Sequence, residues 1–217
     1  MSRLWRAYTV QPRELMAGRT IIIFGFSGSG KSTAANSVGE LLGLRIIHPS
    51  SILRDIIEKK KVDTRNTMHN EGFWESREGM NMFIGRLNDK VPPDVVSDRI
   101  ILREAKKGNV VIDSWSLPWL AKDGIKIYLK ADAATRARRV AARDNIAYRN
   151  ALNAIRIKDE GTRKLFKRVY GFDIRKDLQV FDSIVPTRGK GKNEVVEEIM
   201  KIINSKENDC TTNKVKA

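Results

Sequence analysis

Gly25-Phe26-Ser27-Gly28-Ser29-Gly30-Lys31-Ser32 is the stretch whose residue types and spacing point most directly to chemistry. It meets the pattern G-x-x-x-x-G-K-[ST] at every fixed position. Glycines at that spacing let backbone N–H groups curl around phosphate oxygens, and a helix opening at Lys31 adds the positive end of its dipole. The Lys31 ammonium reaches the β- and γ-phosphates, the Ser32 hydroxyl can ligate Mg²⁺, and Thr33 completes the nucleotide-binding set. A chance glycine–serine turn is the rival reading. A strand pattern before the segment and a helical one after it favour the phosphate loop.

Four further groups are candidates. Asp113 ends the apolar run Val110-Val111-Ile112, where a carboxylate faces a phosphate loop and can hold Mg²⁺ through water; the rival is a helix cap before Ser114. Trp115, Pro118 and Trp119 form an aromatic cluster, suited to packing or to stacking on a bound base, which makes Trp115 a substrate-side candidate. Arg139 and Arg143 are spaced i, i+4 and share a helical face, fit to clamp a transferring phosphoryl group or simply to meet solvent. Arg136 and Arg138 read as surface charge. Arg156, Asp159 and Arg163 recur at three- and four-residue intervals, with the acid placed to orient the arginines. His48 reads as a strand-end residue, and Glu71, Glu75, Arg77 and Glu78 as a solvated face without chemistry.

These residues need a frame. Strand patterns at 20–25, 44–47, 109–113, 124–130 and 181–185 alternate with helical patterns at 31–42, 51–60, 132–144, 148–170 and 193–204. Such alternation predicts a parallel α/β sheet with both faces covered. Two stretches interrupt it, a mostly helical one at 50–107 and an arginine-rich one after Arg143. Both fall beyond strand carboxyl ends, where open α/β sheets bind ligands.

Composition narrows the function class. The chain has 217 residues with a formal charge of +15, 41% hydrophobic and 31% charged, which suits one globular domain. Thirteen Lys/Arg against four Asp/Glu lie between Ala134 and Lys176. That concentration fits phosphate handling, a solvated face or a nucleic-acid surface, and charge by itself does not separate them. No apolar run approaches the ~20 residues of a membrane span, and residues 1–19 lack a signal-peptide core. The lone Cys210 excludes an internal disulfide and a cysteine-built zinc site. A cytoplasmic protein, monomeric or dimeric, is expected.

The phosphate loop, Ser50-Ser51-Ile52-Leu53-Arg54, the Arg139…Arg143 pair and the segment from Arg163 to Phe172 resemble nucleoside monophosphate kinases. Within that group the resemblance is to the archaeal type of cytidylate kinase, carried most specifically by Lys126-Ile127-Tyr128-Leu129-Lys130-Ala131, the arginine helix and Tyr170-Gly171-Phe172-Asp173. It implies a three-layer α/β/α phosphate-loop domain over 20–204. Its core would be 20–49, 108–142 and 177–204, with a helical monophosphate-binding insertion at 50–107 and a lid at 143–176. Residues 1–19 would be an extension and 205–217 a polar, frayed tail. By position, Lys31 and Ser32 would take ATP and Mg²⁺, while Ser50 and Arg54 would hold the acceptor nucleotide. Arg139 and Arg143 would match the arginines at the lid entrance, and Arg156, Asp159 and Arg163 those that close over the reacting phosphates. The implied activity is phosphoryl transfer from ATP to CMP or dCMP.

One departure stands out. Many of the kinases it resembles place an arginine after the third strand to grip the monophosphate; here the run is Asp113-Ser114-Trp115-Ser116-Leu117-Pro118-Trp119. Arg99 or a lid arginine substitutes, or the acceptor is another one: AMP, UMP or a small metabolite hydroxyl, the last with Asp113 as base. A basic nucleotide-binding module acting on RNA is the rival from another class. It lacks aromatics interleaved with the charge, and no nucleic-acid partner is expected.

Overall fold

The computed structural model describes residues 18–65, 67 and 72–215, with side chains to residue 207. The expected N-terminal extension as far as residue 17, with His69 and Glu71, lies outside the described residues.

Thr20-Ile21-Ile22-Ile23-Phe24 forms β1 (Thr20–Phe24), buried at every position. A run this apolar on both faces belongs in the middle of a covered sheet. It lies between β3 (Val110–Asp113) and β4 (Ile125–Lys130), with β2 (Arg45–Ile47) and β5 (Ser183–Pro186) at the edges. The order is β2-β3-β1-β4-β5 and every pairing is parallel. The register sets Ile23 beside Asp113, so the ends of β1 and β3 emerge together. The connection leaving β1 runs toward β2, whereas that leaving β3 crosses to β4. A crevice opens between such diverging connections, at the strands' carboxyl ends.

Ile21 and Ile23 point to one face, where α1 (Lys31–Leu42) and α8 (Lys192–Val215) cover them with Ala34, Val38, Ile199 and Ile203. Ile22 points to the other, toward Ile52 of α2 (Pro49–Ile57) and Ile101 of α4 (Pro93–Lys107). A 3₁₀ turn (Phe73–Glu75) and α3 (Arg77–Leu87) fill the rest of the first interruption, and a short α5 (Leu117–Leu120) follows β3. The second interruption is α6 (Ala133–Asp144) and α7 (Tyr148–Tyr170), joined through Ala137, Val140, Ala151 and Ile155. Asp132 caps α6 by accepting the Thr135 N–H at 2.7 Å.

The expected tail differs. Rather than fraying after Asn204, α8 runs to Val215. Residues 205–215 contain neither glycine nor proline to stop a helix. Lys206 pairs with Asp182 at 2.8 Å and Glu207 with Arg19 at 2.5 Å, tying the extension to the sheet.

Candidate active site

The phosphate loop leaves β1 and ends where Lys31 opens α1. Gly28 sits at φ +78, and a Cβ there would lie 2.6 Å from the Arg136 carbonyl oxygen, so both backbone angle and space demand glycine. Two arginines of α6 hold the loop from behind. Arg136 donates to Ser27 O at 3.2 Å and forks onto both Asp159 oxygens at 2.7 and 3.3 Å. Its reading as surface charge is therefore corrected: it is 6% exposed. It lies one turn before buried Val140, and that helical spacing was the available signal. Arg139 donates to Ser29 O at 3.3 Å and to Thr187 O at 2.6 Å. Here its guanidinium ties the loop to the residue after β5, beside a smaller hollow bordered by Gly30, Thr33 and Lys190. Buried Thr187, which donates to Ser29 O at 3.2 Å, escaped sequence reasoning.

Asp113 is 3% exposed, with its Oδ2 3.2 Å from Nδ1 of buried His48. His48 Nε2 meets Asn36 Oδ1 at 2.9 Å, so the ring is a brace for Asp113 rather than an idle strand-end residue. Burial pushes the Asp113 carboxyl up, but the Lys31 charge and hydrogen bonds from His48 and Ser32 outweigh it and hold the group below the usual range. An ionised carboxylate beside a serine hydroxyl is a hard oxygen donor set, and it fits Mg²⁺ that keeps several waters. Among the described residues no cluster of three or more His, Cys, Asp or Glu offers an all-protein metal cage.

Loop, α2, α3, α4 and α7 enclose one cleft of about 270 Å³. Of the expected residues, Lys31, Ser32, Ser50, Asp113, Arg139 and Arg143 line it, as does Trp115, which meets Phe26 edge-on at 5.5 Å. Trp119 packs instead, stacked on Phe172 at 4.9 Å with Nε1 donating to Asp177 O. Arg54 does not line the cleft: its Nε donates to Glu58 at 2.7 Å and its guanidinium covers the Phe73 ring at 3.8 Å. Arg156 is exposed, and Arg163 is held by Asp173 at 2.9 Å. The buried stripe of α7 runs through Ala151, Ile155, Lys158, Asp159, Thr162 and Phe166, and both arginines fall beside it. Arg99 is exposed on α4 and does not replace the missing arginine.

The far end of the cleft holds residues the sequence did not single out. Arg86 of α3 is buried and paired with Asp94 of α4. Among the described residues, Arg86 Nε and Asp94 Oδ2 are buried with no hydrogen-bond partner. Beside them, Asp98 accepts from Ser116 Oγ and Tyr170 OH, each at 2.6 Å. Burial, opposed by those two hydrogen bonds, pushes the Asp98 carboxyl up to about 6. Near the loop, Lys158 Nζ donates to Glu75, which also accepts from Arg143 at 3.0 Å.

The model of the Cytidylate kinase-like family matches residues 20–188. A cytidylate kinase of Ignicoccus hospitalis is 33% identical over 186 residues, covering 84% of this chain and 98% of that protein. One from Sulfurisphaera tokodaii is 34% identical over 190 residues, covering 84% and 92%. Among solved structures, shikimate kinase from Acinetobacter baumannii in complex with shikimate aligns with a TM-score of 0.52 at 16% identity, over 87% of this chain and 94% of that one. A gluconokinase from Sinorhizobium meliloti 1021 gives 0.52 at 15% identity, over 90% and 97%. These two share the fold.

Proposed function

The chain belongs to the Cytidylate kinase-like family, and from that premise we propose that it transfers the γ-phosphoryl group of ATP to CMP or dCMP. The observation that carries this reading is the cleft joining Lys31 and Ser32 to the Arg86–Asp94 pair, whose Nε and Oδ2 atoms have no partner among the described residues. A cytosine ring offers an amino group with two N–H donors beside acceptor atoms. Asp94 and Asp98 supply acceptors for the amino group, and the Arg86 Nε–H supplies a donor. Uracil has a single ring N–H and suits two carboxylates less well.

In the reaction an acceptor phosphate oxygen forms a bond to the γ-phosphorus. The bond from that phosphorus to the β–γ bridging oxygen breaks, and ADP leaves with the electron pair. A monophosphate dianion attacks without losing a proton, so no base is required. Asp113, held ionised by Lys31, is a weak base, which counts against a hydroxyl acceptor. Lys31 and Arg143 balance the charge of the transferring group, and the loop held by Arg136 and Arg139 fixes its position. Ser32, with Asp113 through water, would hold Mg²⁺, which when bound neutralises β- and γ-phosphate oxygens.

Initial rates with ATP and Mg²⁺ across CMP, dCMP, UMP, AMP and shikimate test the proposal. Turnover highest with CMP and dCMP is expected. Preference for any of the others would overturn the acceptor assignment.

A further inference from the structure

Three cations from three separate elements surround one carboxylate. Lys158 of α7 and Arg143 at the end of α6 hydrogen-bond Glu75, and Lys31 of the phosphate loop acts on it through its charge. All four line the cleft. The Glu75 and Lys158 side chains are 6% and 9% exposed. Burial pushes the Glu75 carboxyl up, but the three cations outweigh it and keep the group ionised. Lys158 responds the other way: burial lowers its ammonium, Glu75 opposes that, and its like-charged neighbours Lys31 and Arg143 add to the lowering.

The provenance of Glu75 is informative. It comes from the 3₁₀ turn Phe73–Glu75, between α2 and α3, not from the helices that carry Lys158 and Arg143. A buried ammonium beside a phosphate-loop lysine is costly without a counter-ion. In this structure that counter-ion is a carboxylate delivered by another element. With nucleotide bound, phosphate oxygens supply the same charge and accept the same hydrogen bonds.

We propose that Lys158 is a further catalytic residue, donating to an oxygen of the transferring phosphoryl group, and that Glu75 is a resident anion that fills this position until substrate phosphate displaces it. The proposal rests on the kinase reading. In this role Lys158 adds charge stabilisation to the transfer written above and moves no proton.

Two measurements test it, with inorganic tripolyphosphate as the first probe. Its affinity, read by calorimetry without any acceptor, should rise roughly tenfold in Glu75→Gln, because one negative charge leaves a partly desolvated site. The second Lys158→Met substitution should abolish that gain. In turnover with CMP, the double variant Lys158→Met/Glu75→Gln should lose ~10²–10³ in kcat, and Lys158→Arg should recover part of the loss seen in Lys158→Met. Unfolding curves identify variants that are merely unstable. Unchanged tripolyphosphate affinity in folded Glu75→Gln would overturn the resident-anion role. A folded double variant with parental kcat would overturn the catalytic role of Lys158. If the parent binds tripolyphosphate and Glu75→Gln tightens it, yet CMP is never phosphorylated, the resident anion stands and the acceptor reading falls.

Discussion

Arg86 and Arg54 lie in the same insertion, yet only Arg86 turns its guanidinium into the cleft. Arg54 is satisfied locally by Glu58 four residues on and by the Phe73 ring, whereas Arg86 keeps a buried Nε without a partner among the described residues. Residue type could not separate them, because the difference lies in which helix face meets the neighbouring elements. The loop residues were legible because phosphate binding requires a contiguous pattern; the proposed acceptor end was not, because Arg86, Asp94 and Asp98 meet only in three dimensions. Arg86→Lys should raise the CMP KM by about 10–100-fold, as expected for loss of a charge-assisted hydrogen bond at a fixed angle, and leave the ATP KM nearly unchanged. Arg54→Ala should shift the CMP KM less. Initial rates with each substrate varied would show it, and the reverse ranking would return the acceptor role to Arg54. Lys31→Met should abolish transfer in a folded protein, since it removes the loop's only ammonium from the γ-phosphate.

At the element scale the strands and the main helices were readable from periodicity, and β1, α1 and α7 fall almost where the pattern puts them. What periodicity could not provide was rotation. A stripe through Lys158, Asp159 and Thr162 and one through Arg156 and Arg163 lie about 100° apart on the same helix, and packing against α6, α3 and the 3₁₀ turn selects the first. Buried charge is the consequence. Arg136→Met strands the Asp159 carboxylate, 3% exposed, and should cost about 3–5 kcal/mol in urea unfolding, with part regained in Arg136→Met/Asp159→Asn. On α4, Asp98 titrates at about 6 in the fold against about 3.9 when unfolded. Between those values the folded state holds a proton that the unfolded state has released, so stability falls as pH rises through the window. A shift of about two units corresponds to about 3 kcal/mol. Asp98→Asn removes that dependence; relative to the parent it should gain about that amount from pH ~4 to ~7, whatever constant offset its altered hydrogen bonds bring. Parallel pH profiles for the two proteins would show that Asp98 does not titrate there.

For the whole molecule, the question left by a charge of +15 is where the excess goes. The structure divides it. Arg136, Arg139 and Lys158 turn inward onto the loop, Asp159 and Glu75, Arg143 reaches Glu75 from the exposed rim of the cleft, and Arg149, Lys164 and Lys167 stay exposed on α7. The two sets should separate experimentally. Any polyanion such as single-stranded RNA meets the outward set first, and each neutralised phosphate contact steepens the salt slope of binding by about 0.7. A triple variant with Arg149, Lys164 and Lys167 changed to glutamine should therefore reduce that slope by about 2 and weaken RNA retention at low salt. Its phosphoryl transfer to CMP should persist, because none of the three borders the cleft. Lys31→Met should show the opposite pattern, with RNA retention kept and transfer lost. Filter binding at several salt concentrations alongside steady-state turnover would read both. If the triple variant instead lost turnover while keeping its RNA affinity, the outward charge would belong to the catalytic cycle, and the division between cleft and surface drawn from this structure would be wrong.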